Sequence, residues 1–435
     1  MVVIEAAKVV IISELAGINL HFDPKQPSNS TFFPKFALQM RQRRFFILIL
    51  LLLLALTVFF CGRRCGRETP VINTDSLFVD LNMAMIAKRA KMADRVFTDM
   101  SRAGLNGVVL YAEQGKVIYE KAFGWRDLSS RHKDSLRLDD AFQLSSDSKM
   151  FTAEAIMLLK AKGKLDYDDD VRRYIPEFPY EGVTIRQLLT HRSGLPRYDS
   201  MADEHWPDRK KPFSNEALIK MLVEKKPEVY GAPDAVYFYN NINYALLASV
   251  VERASKQHFE DFMRENIFEP CGMTHSYIYS MRDDDVVSMY MPVEVHGHEL
   301  YRKGPVKSQN DYLNGVMGDK IMFSTVEDLF KYNQALDAHL LLPDSLQAEA
   351  FEPSSPEWKN KENYGFGWRL TQDYPGMYFH YGWWKGYRSA IIRNERDNRF
   401  LVVLGNTTYL IPPEIIWDFV SDTTVKLPEA EPWQP

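Results

Sequence analysis

Strand-like segments occupy both ends of the body of this 435-residue chain, and helix-like segments fill its middle. Near the start, GVVLYAE (107–113) and VIYEKAFG (117–124) flank Gln114-Gly115, which predicts a β-hairpin. Strand patterns return only at 377–381, 388–393 and 400–406. This order predicts an α+β fold in which chain-distant strands form one antiparallel sheet, flanked by helices, with a mainly helical subdomain inserted between them.

The helix-like segments have amphipathic or continuously apolar patterns. They lie at 81–102, 146–162, 183–191, 244–255, 259–268, 325–336 and 413–420. A hydrophobic content of 46% is ordinary for a protein with a substantial core. The net charge of −5 argues against nucleic acid as a partner.

Cysteine and histidine spacing gives no indication of a metal site. The three cysteines are too few for a disulfide framework, and they form no Cys-x-x-Cys pair. The acidic run 168–170 is typical of a solvated turn, and His296-Gly-His298 is predicted to be a surface loop. We therefore predict neither a metal ion nor a cofactor.

An uncharged run, FFILILLLLLALTVFFC at 45–61, has arginines on both sides. As a helix it would span roughly 25 Å, just enough to cross a bilayer. We favour a retained anchor over residues 40–62, because no small-x-small cleavage site follows the run. A cleaved signal peptide that starts at Met40 and a lipid-modified Cys61 are the alternatives. Residues 1–39 are an extension without an assigned role, and residues 63–80 are predicted to be a polar tether.

One short motif can hold both a nucleophile and its activator. Ser146 and Lys149 are three residues apart at a predicted helix start, so both side chains lie on one face. Positive potential at a helix N-terminus favours the neutral amine, which can then take the serine proton. Ser130 and Lys133 have the same spacing, but they lie in a polar stretch that predicts a loop.

Three motifs, in order, carry a family resemblance: SDSK at 146–149, YNN at 239–241 and HYG at 380–382. Supporting stretches lie at 162–177, 188–195, 268–273, 323–329 and 382–389. Over nearly all of 105–408 the chain resembles the serine β-lactamase and penicillin-binding-protein superfamily. The resemblance is to its class C-like branch, which also contains esterases and D-amino-acid peptidases, and it implies the β-lactamase-like form of the α+β fold.

The resemblance implies a role for each motif residue. Ser146 would be the nucleophile, and Lys149 would take part in its proton transfer. Tyr239 would act as general base in acylation and as acid toward the leaving group, with a phenol pKa lowered to near neutrality by Lys149. Asn241 would position the substrate amide and Lys149. His380 stands where many relatives carry lysine, which implies a weaker anchor for a substrate carboxylate.

The strand around His380 is expected to line the cleft. The resemblance implies that the Trp383 N–H forms an oxyanion hole with the Ser146 N–H. Gly382, Trp384 and Tyr381 are further candidates for substrate contact, and the aromatic residues favour a broad, apolar substrate.

These features predict a serine hydrolase domain over 81–425, followed by a tail at 426–435. We expect it to be anchored in the membrane, with the domain outside the cytoplasm, and to act through an acyl-enzyme on Ser146. The substrate would be a small molecule or peptide with an amide or ester bond: a D-amino-acid peptide, a cell-wall fragment, a β-lactam or a small ester. A carboxylesterase unrelated to the cell wall and a non-hydrolysing penicillin-binding sensor are the alternatives. The natural substrate and the oligomeric state stay open.

Overall fold

A computed structural model of the chain describes residues 74–356, 358 and 362–421, with side chains from residue 83 onward. The strands in chain order are β1 (Gly107–Glu113), β2 (Lys116–Phe123), β3 (Phe142–Gln143), β4 (Tyr277–Ile278), β5 (His298–Tyr301), β6 (Gly304–Lys307), β7 (Met322–Ser324), β8 (Glu362–Tyr364), β9 (Arg369–Thr371), β10 (Met377–Trp384), β11 (Tyr387–Asn394) and β12 (Arg399–Gly405).

The α-helices are α1 (Thr74–Arg102), α2 (Ser148–Ala161), α3 (Ile185–Leu189), α4 (Tyr198–His205), α5 (Asn215–Lys225), α6 (Asn241–Ser255), α7 (Phe259–Met263), α8 (Val326–Asp337), α9 (Asp344–Glu349) and α10 (Pro413–Ser421). A π-helical turn, Arg264–Phe268, follows α7, and 3₁₀ turns lie at Ser145–Asp147, Val171–Arg173 and Tyr312–Gly315.

Strands from both ends of the body form one seven-stranded sheet with the order β2-β1-β12-β11-β10-β9-β8. Each neighbouring pair is antiparallel, and Gly107 of β1 pairs with Gly405 of β12. The predicted α+β architecture is confirmed. The segment between β2 and β8 contains helices α2 to α9 and two small sheets, β3-β7-β4 and β5-β6.

Side chains alternate between the two faces of this sheet, and each face has its own core. On β1, Val109 and Tyr111 pack with α1 and α10, whereas Val108 and Leu110 pack with the helices of the middle segment. This alternation follows from the two-residue period of a strand. Helix α2 belongs to the core on this second face, and its residues from Ser148 to Leu159 are buried.

The predicted membrane anchor at 40–62 lies outside the described residues, as do the extension 1–39 and the tail 426–435. Within the described part of the chain, no helix is both long and apolar enough to cross a membrane. The domain boundaries stay predictions.

Differences from the sequence expectations include an additional hairpin and a buried histidine. The hairpin β8–β9 was not predicted, because three-residue strands are too short to show a period. His298, expected in a surface loop, is buried at the start of β5, with its Nε2 atom 2.9 Å from Asp127 Oδ1. Its hydrogen bond fixes the 125–135 loop against the β5–β6 hairpin.

Helix α2 also buries a carboxyl group that should make stability depend on pH. Glu154 is 1% exposed, and its Oε2 atom accepts a hydrogen bond of 3.1 Å from the Tyr332 hydroxyl. Burial raises the Glu154 pKa to about 7, and the Tyr332 bond opposes this shift. A carboxyl with a raised pKa in the folded state destabilises the fold as pH rises above its unfolded value of 4.5.

We therefore expect the free energy of unfolding of Glu154→Gln, relative to that of the wild type, to increase from pH 5 to pH 8. The increase should be about 3 kcal/mol at most. Urea unfolding at both pH values measures the difference. The exposed Glu120→Gln is the matched control and should show no such gain. A stability difference between the wild type and Glu154→Gln that is equal at the two pH values would contradict the assignment.

Candidate active site

Ser146 lies in the 3₁₀ turn Ser145–Asp147 that leads into α2. Every other residue from Phe142 to Met150 is buried, and Ser146 alone is partly exposed. Ser145 has a φ angle of +52°, a conformation that non-glycine residues adopt at a cost of about 1–3 kcal/mol. The strained turn leaves Ser146 partly exposed at an otherwise buried helix start.

Lys149 lies in the first turn of α2 and is fully buried. Its Nζ atom donates to Ser146 Oγ at 3.1 Å and to the Asp319 carbonyl at 2.8 Å. Burial lowers the Lys149 pKa to about 8, and Arg369 lowers it further, whereas Asp319 and Asp147 oppose the shift. A lysine in this state loses its proton close to physiological pH, so it can act as a base toward Ser146.

The Tyr239 ring lies beside this pair, with Lys149 Nζ 5.1 Å from the ring centroid. Its hydroxyl is buried and has no well-aligned hydrogen-bond partner among the described residues, although the nearby Ser146 hydroxyl lowers its pKa. Burial is the larger effect and raises the Tyr239 pKa above its ordinary value, with Arg369 opposing it. This direction is opposite to the lowered pKa expected from the sequence, so the phenol keeps its proton at neutral pH.

Asn241 is the first residue of α6. The helix is capped by its neighbour Asn240, whose Oδ1 atom accepts from Ile242 N at 3.3 Å. His191 fixes the same segment, because its Nδ1 atom accepts from Asn240 N at 3.2 Å. The Asn241 Oδ1 atom is buried without a hydrogen-bond partner in the described residues, which leaves it available to a substrate or water.

His380 is fully buried on β10. Its Nδ1 atom lies 3.1 Å from both Asp147 Oδ1 and the Tyr381 carbonyl, and its Nε2 atom lies 3.1 Å from the Tyr364 hydroxyl. The carbonyl requires a proton on Nδ1, so Nε2 accepts from Tyr364. Burial lowers the His380 pKa well below its ordinary value, and Arg369 adds to the shift. His380 is a neutral residue with both ring nitrogens already bonded.

The next residues of β10 point in different directions. A Cβ atom on Gly382 would lie 2.2 Å from the Leu144 carbonyl oxygen, so glycine is required where β10 approaches the nucleophile turn. The Trp383 side chain is 59% exposed, and Trp384 Nε1 donates to Asn314 Oδ1 at 2.6 Å.

Tyr381 lies on the other face of the sheet. Its hydroxyl accepts a 2.9 Å hydrogen bond from Trp417 Nε1 on α10, and it packs with the core on the α1 and α10 side. The structure therefore does not bring this candidate substrate contact together with Ser146. The reason is the strand period: Tyr381 alternates with His380 and Gly382, which face the nucleophile turn.

Sequence reasoning missed four residues of the site. Asp147 and Tyr364 bind His380, Asp319 binds Lys149, and Arg369 stacks on Tyr239. Asp147 lies inside the SDSK motif, and a carboxyl beside a nucleophile was a usable signal. The other three come from loops and short strands without periodicity. Among the described residues, no group of three or more His, Cys, Asp or Glu side chains could hold a metal ion.

The antiparallel sheet, the buried helix start and the serine–lysine contact together define a serine hydrolase. Residues 92–420 match the family model described as Beta-lactamase. The chain belongs to this family, in the superfamily that joins serine β-lactamases and penicillin-binding proteins.

Relatives and solved structures agree with this membership. Penicillin-binding protein 4* of Bacillus subtilis is 36% identical over 309 residues, which cover 69% of this chain and 68% of that protein. Protein flp of Staphylococcus aureus is 26% identical over 73% of this chain and 63% of its own length. The octameric penicillin-binding protein homologue from Pyrococcus abyssi is 25% identical with a TM-score of 0.64, and covers 77% of each chain. The D-amino acid amidase from Ochrobactrum anthropi SV3 shares the fold at 22% identity and a TM-score of 0.61, over 79% of this chain and 98% of the amidase.

Proposed function

We propose that this protein hydrolyses amide bonds of D-amino-acid peptides, including cell-wall fragments, through an acyl-enzyme on Ser146. The observation that carries the proposal is the 3.1 Å contact between the Ser146 hydroxyl and the buried Lys149 amine. Membership of the family described as Beta-lactamase supports cleavage of an amide bond, because the bond opened in a β-lactam is an amide.

Acylation begins when neutral Lys149 takes the Ser146 proton as Oγ attacks the substrate carbonyl carbon. The backbone N–H groups of Ser146 and Trp383 stabilise the resulting oxyanion. When the amide C–N bond breaks, Tyr239 gives its hydroxyl proton to the leaving nitrogen. The lysine ammonium then returns a proton to the phenolate, so the acyl-enzyme and a free amine are the products.

Deacylation repeats these steps with water in place of the leaving amine. Lys149 takes a proton from water, the hydroxyl oxygen attacks the ester carbonyl, and Ser146 Oγ leaves with a proton from Tyr239. Asn241 positions the substrate amide by hydrogen bonds through its free Oδ1 atom.

The state of His380 supports a substrate that needs no strong carboxylate anchor at this strand. Both ring nitrogens are bonded within the protein, and burial keeps the ring uncharged. The exposed Trp383 ring offers an apolar contact instead. We therefore favour D-amino-acid peptides and amides without a free C-terminal carboxylate over β-lactams and carboxylate-bearing peptides, whose acylation of this enzyme should be slow.

The test is fluorophosphonate labelling followed by turnover. We expect the wild type to be labelled and Ser146→Ala not to be; persistent labelling of the variant would contradict the assignment. Ser130→Ala is the matched control, because Lys133 Nζ donates to the Leu128 carbonyl at 2.7 Å.

A panel of D-Ala-D-Ala peptides with a free or an amidated C-terminus, nitrocefin and p-nitrophenyl esters then ranks the substrates. We expect steady turnover of the amidated peptides. Turnover of the esters alone would indicate a carboxylesterase, and acylation without release would indicate a sensor.

We also propose that residues 40–62 anchor the protein in a membrane with the hydrolase domain outside the cytoplasm. The uncharged run at 45–61 supports this. Protease protection in intact cells tests it: digestion of the domain from outside is expected, and protection would contradict it.

A further inference from the structure

A permanently charged side chain lies over the ring of the tyrosine in the site. The Arg369 guanidinium carbon is 4.9 Å from the Tyr239 ring centroid and 5.9 Å from that of Tyr364. Arginine stays protonated at all pH values in which proteins fold. The mechanism proposed above gives this residue no role.

The hairpin that carries Arg369 is fixed to the nucleophile helix. Arg369 on β9 pairs directly with Tyr364 on β8, and the turn between them contains Gly367 with a φ angle of +79°. A Cβ atom on Gly367 would lie 2.7 Å from Met150 Cα and 2.9 Å from the Lys149 carbonyl oxygen. The turn therefore packs directly on the first turn of α2, which contains Lys149, and the adjacent strand holds the guanidinium over the Tyr239 ring.

The surroundings leave the charge of Arg369 effective inside the site. Its Nη1 atom is 3.3 Å from Glu362 Oε2, but that carboxylate is 46% exposed and water screens the pair. His191 and His380 are buried neutral and add no positive charge. The other titratable or charged groups around Lys149 and Tyr239 are Asp147, Tyr237, Tyr244, Asp319, Lys320 and Tyr364.

We infer that Arg369 is a positioning residue for acylation. Its fixed positive charge favours loss of a proton from the Lys149 ammonium group and from the Tyr239 hydroxyl. One cation thus raises the neutral fraction of the base, Lys149, and the acidity of the acid, Tyr239. Like charge disfavours the ammonium form of Lys149, and opposite charge favours the phenolate of Tyr239. The inference rests on the proposed function, because it acts through the proton transfers described there.

The test is the pH dependence of kcat/KM for Arg369→Met, with Arg369→Gln as a second neutral variant and Arg369→Lys as the charge-retaining one. In the wild type, kcat/KM should rise with pH through a limb near pH 8, where Lys149 becomes neutral. Both neutral variants should move this limb upward by about one pH unit, which lowers kcat/KM about tenfold at pH 7. Arg369→Lys should restore most of the wild-type profile.

The leaving group provides a second readout. Departure of a poor leaving group such as an amine needs the proton from Tyr239. Departure of p-nitrophenolate depends little on this proton. The neutral variants should therefore lose more activity on peptide amides than on p-nitrophenyl esters. Arg253→Met is the matched control: Arg253 is 28% exposed against 25% for Arg369, and pairs with Glu177 at 2.8 Å. It should leave both readouts unchanged.

Two results would overturn the inference. One is a pH profile of the neutral variants that superimposes on the wild type. The other is a loss confined to KM of substrates with a free carboxylate, with the amidated peptide unaffected, which would make Arg369 a substrate anchor. Fluorophosphonate labelling of wild-type Ser146 separates the two levels: without it the proposed function fails, and with it only the role of Arg369 is at issue.

Discussion

Lys149→Met should lower kcat/KM by about 10³-fold or more, because the variant lacks the group that takes the Ser146 proton. The methionine side chain has a similar length and no charge, so the buried site keeps its packing. The wild-type rate should rise with pH toward about 8, because only neutral Lys149 is a base. In the variant this rise of the rate with pH should disappear. Steady-state kinetics on a D-amino-acid peptide between pH 6 and pH 9 measures both effects.

Lys162→Met is the control for the loss of a lysine on the same helix. Lys162 is the exposed C-cap of α2, at the opposite end from Ser146. It should change kcat/KM no more than about twofold, because the side chain is remote from the nucleophile, and should change the free energy of unfolding by no more than about 0.5 kcal/mol. Retention of near-wild-type activity in Lys149→Met would exclude Lys149 as the base.

Gly382→Ala should reduce acylation of Ser146 about 10²-fold and destabilise the fold by about 1–3 kcal/mol. The added Cβ atom would lie 2.1 Å from Ser389 Oγ and 2.2 Å from the Leu144 carbonyl oxygen. Strand β10 must therefore move away from the nucleophile turn. That movement displaces the Trp383 N–H, which the proposed mechanism uses to bind the oxyanion.

Urea unfolding and the rate of fluorophosphonate labelling measure the two effects separately. Gly231→Ala is the control, because a Cβ atom there would meet only Val236 Cγ1 at 4.0 Å. A Gly382→Ala protein with wild-type labelling kinetics would show that the strand can retreat without loss of the oxyanion site.

The sequence allowed the fold to be predicted closely wherever local periodicity was strong. The helices at α1, α2, α6, α8 and α10 and the strands β1, β2, β10, β11 and β12 were predicted to within a few residues, apart from the start of α1. The short hairpins β5–β6 and β8–β9 were not, since strands of three or four residues contain too few side chains to show a period.

For the site, spacing along the chain predicted that Ser146 and Lys149 meet, and the structure places them 3.1 Å apart. A separation of three residues at a helix start encodes this contact locally. The order of the motifs and the family resemblance identified Tyr239, Asn241 and His380 as candidate site residues. The sequence alone determined where they lie along the chain.

The protonation states of these residues were decided only by the tertiary structure. Tyr239 was expected to have a lowered pKa, but burial raises it. His380 was expected to face a substrate, but Asp147 and Tyr364 occupy its nitrogens. Arg369, more than one hundred residues beyond Tyr239 in the chain, supplies a fixed charge over its ring. Burial and electric fields depend on what the whole fold brings together, whereas the order of motifs depends only on the chain.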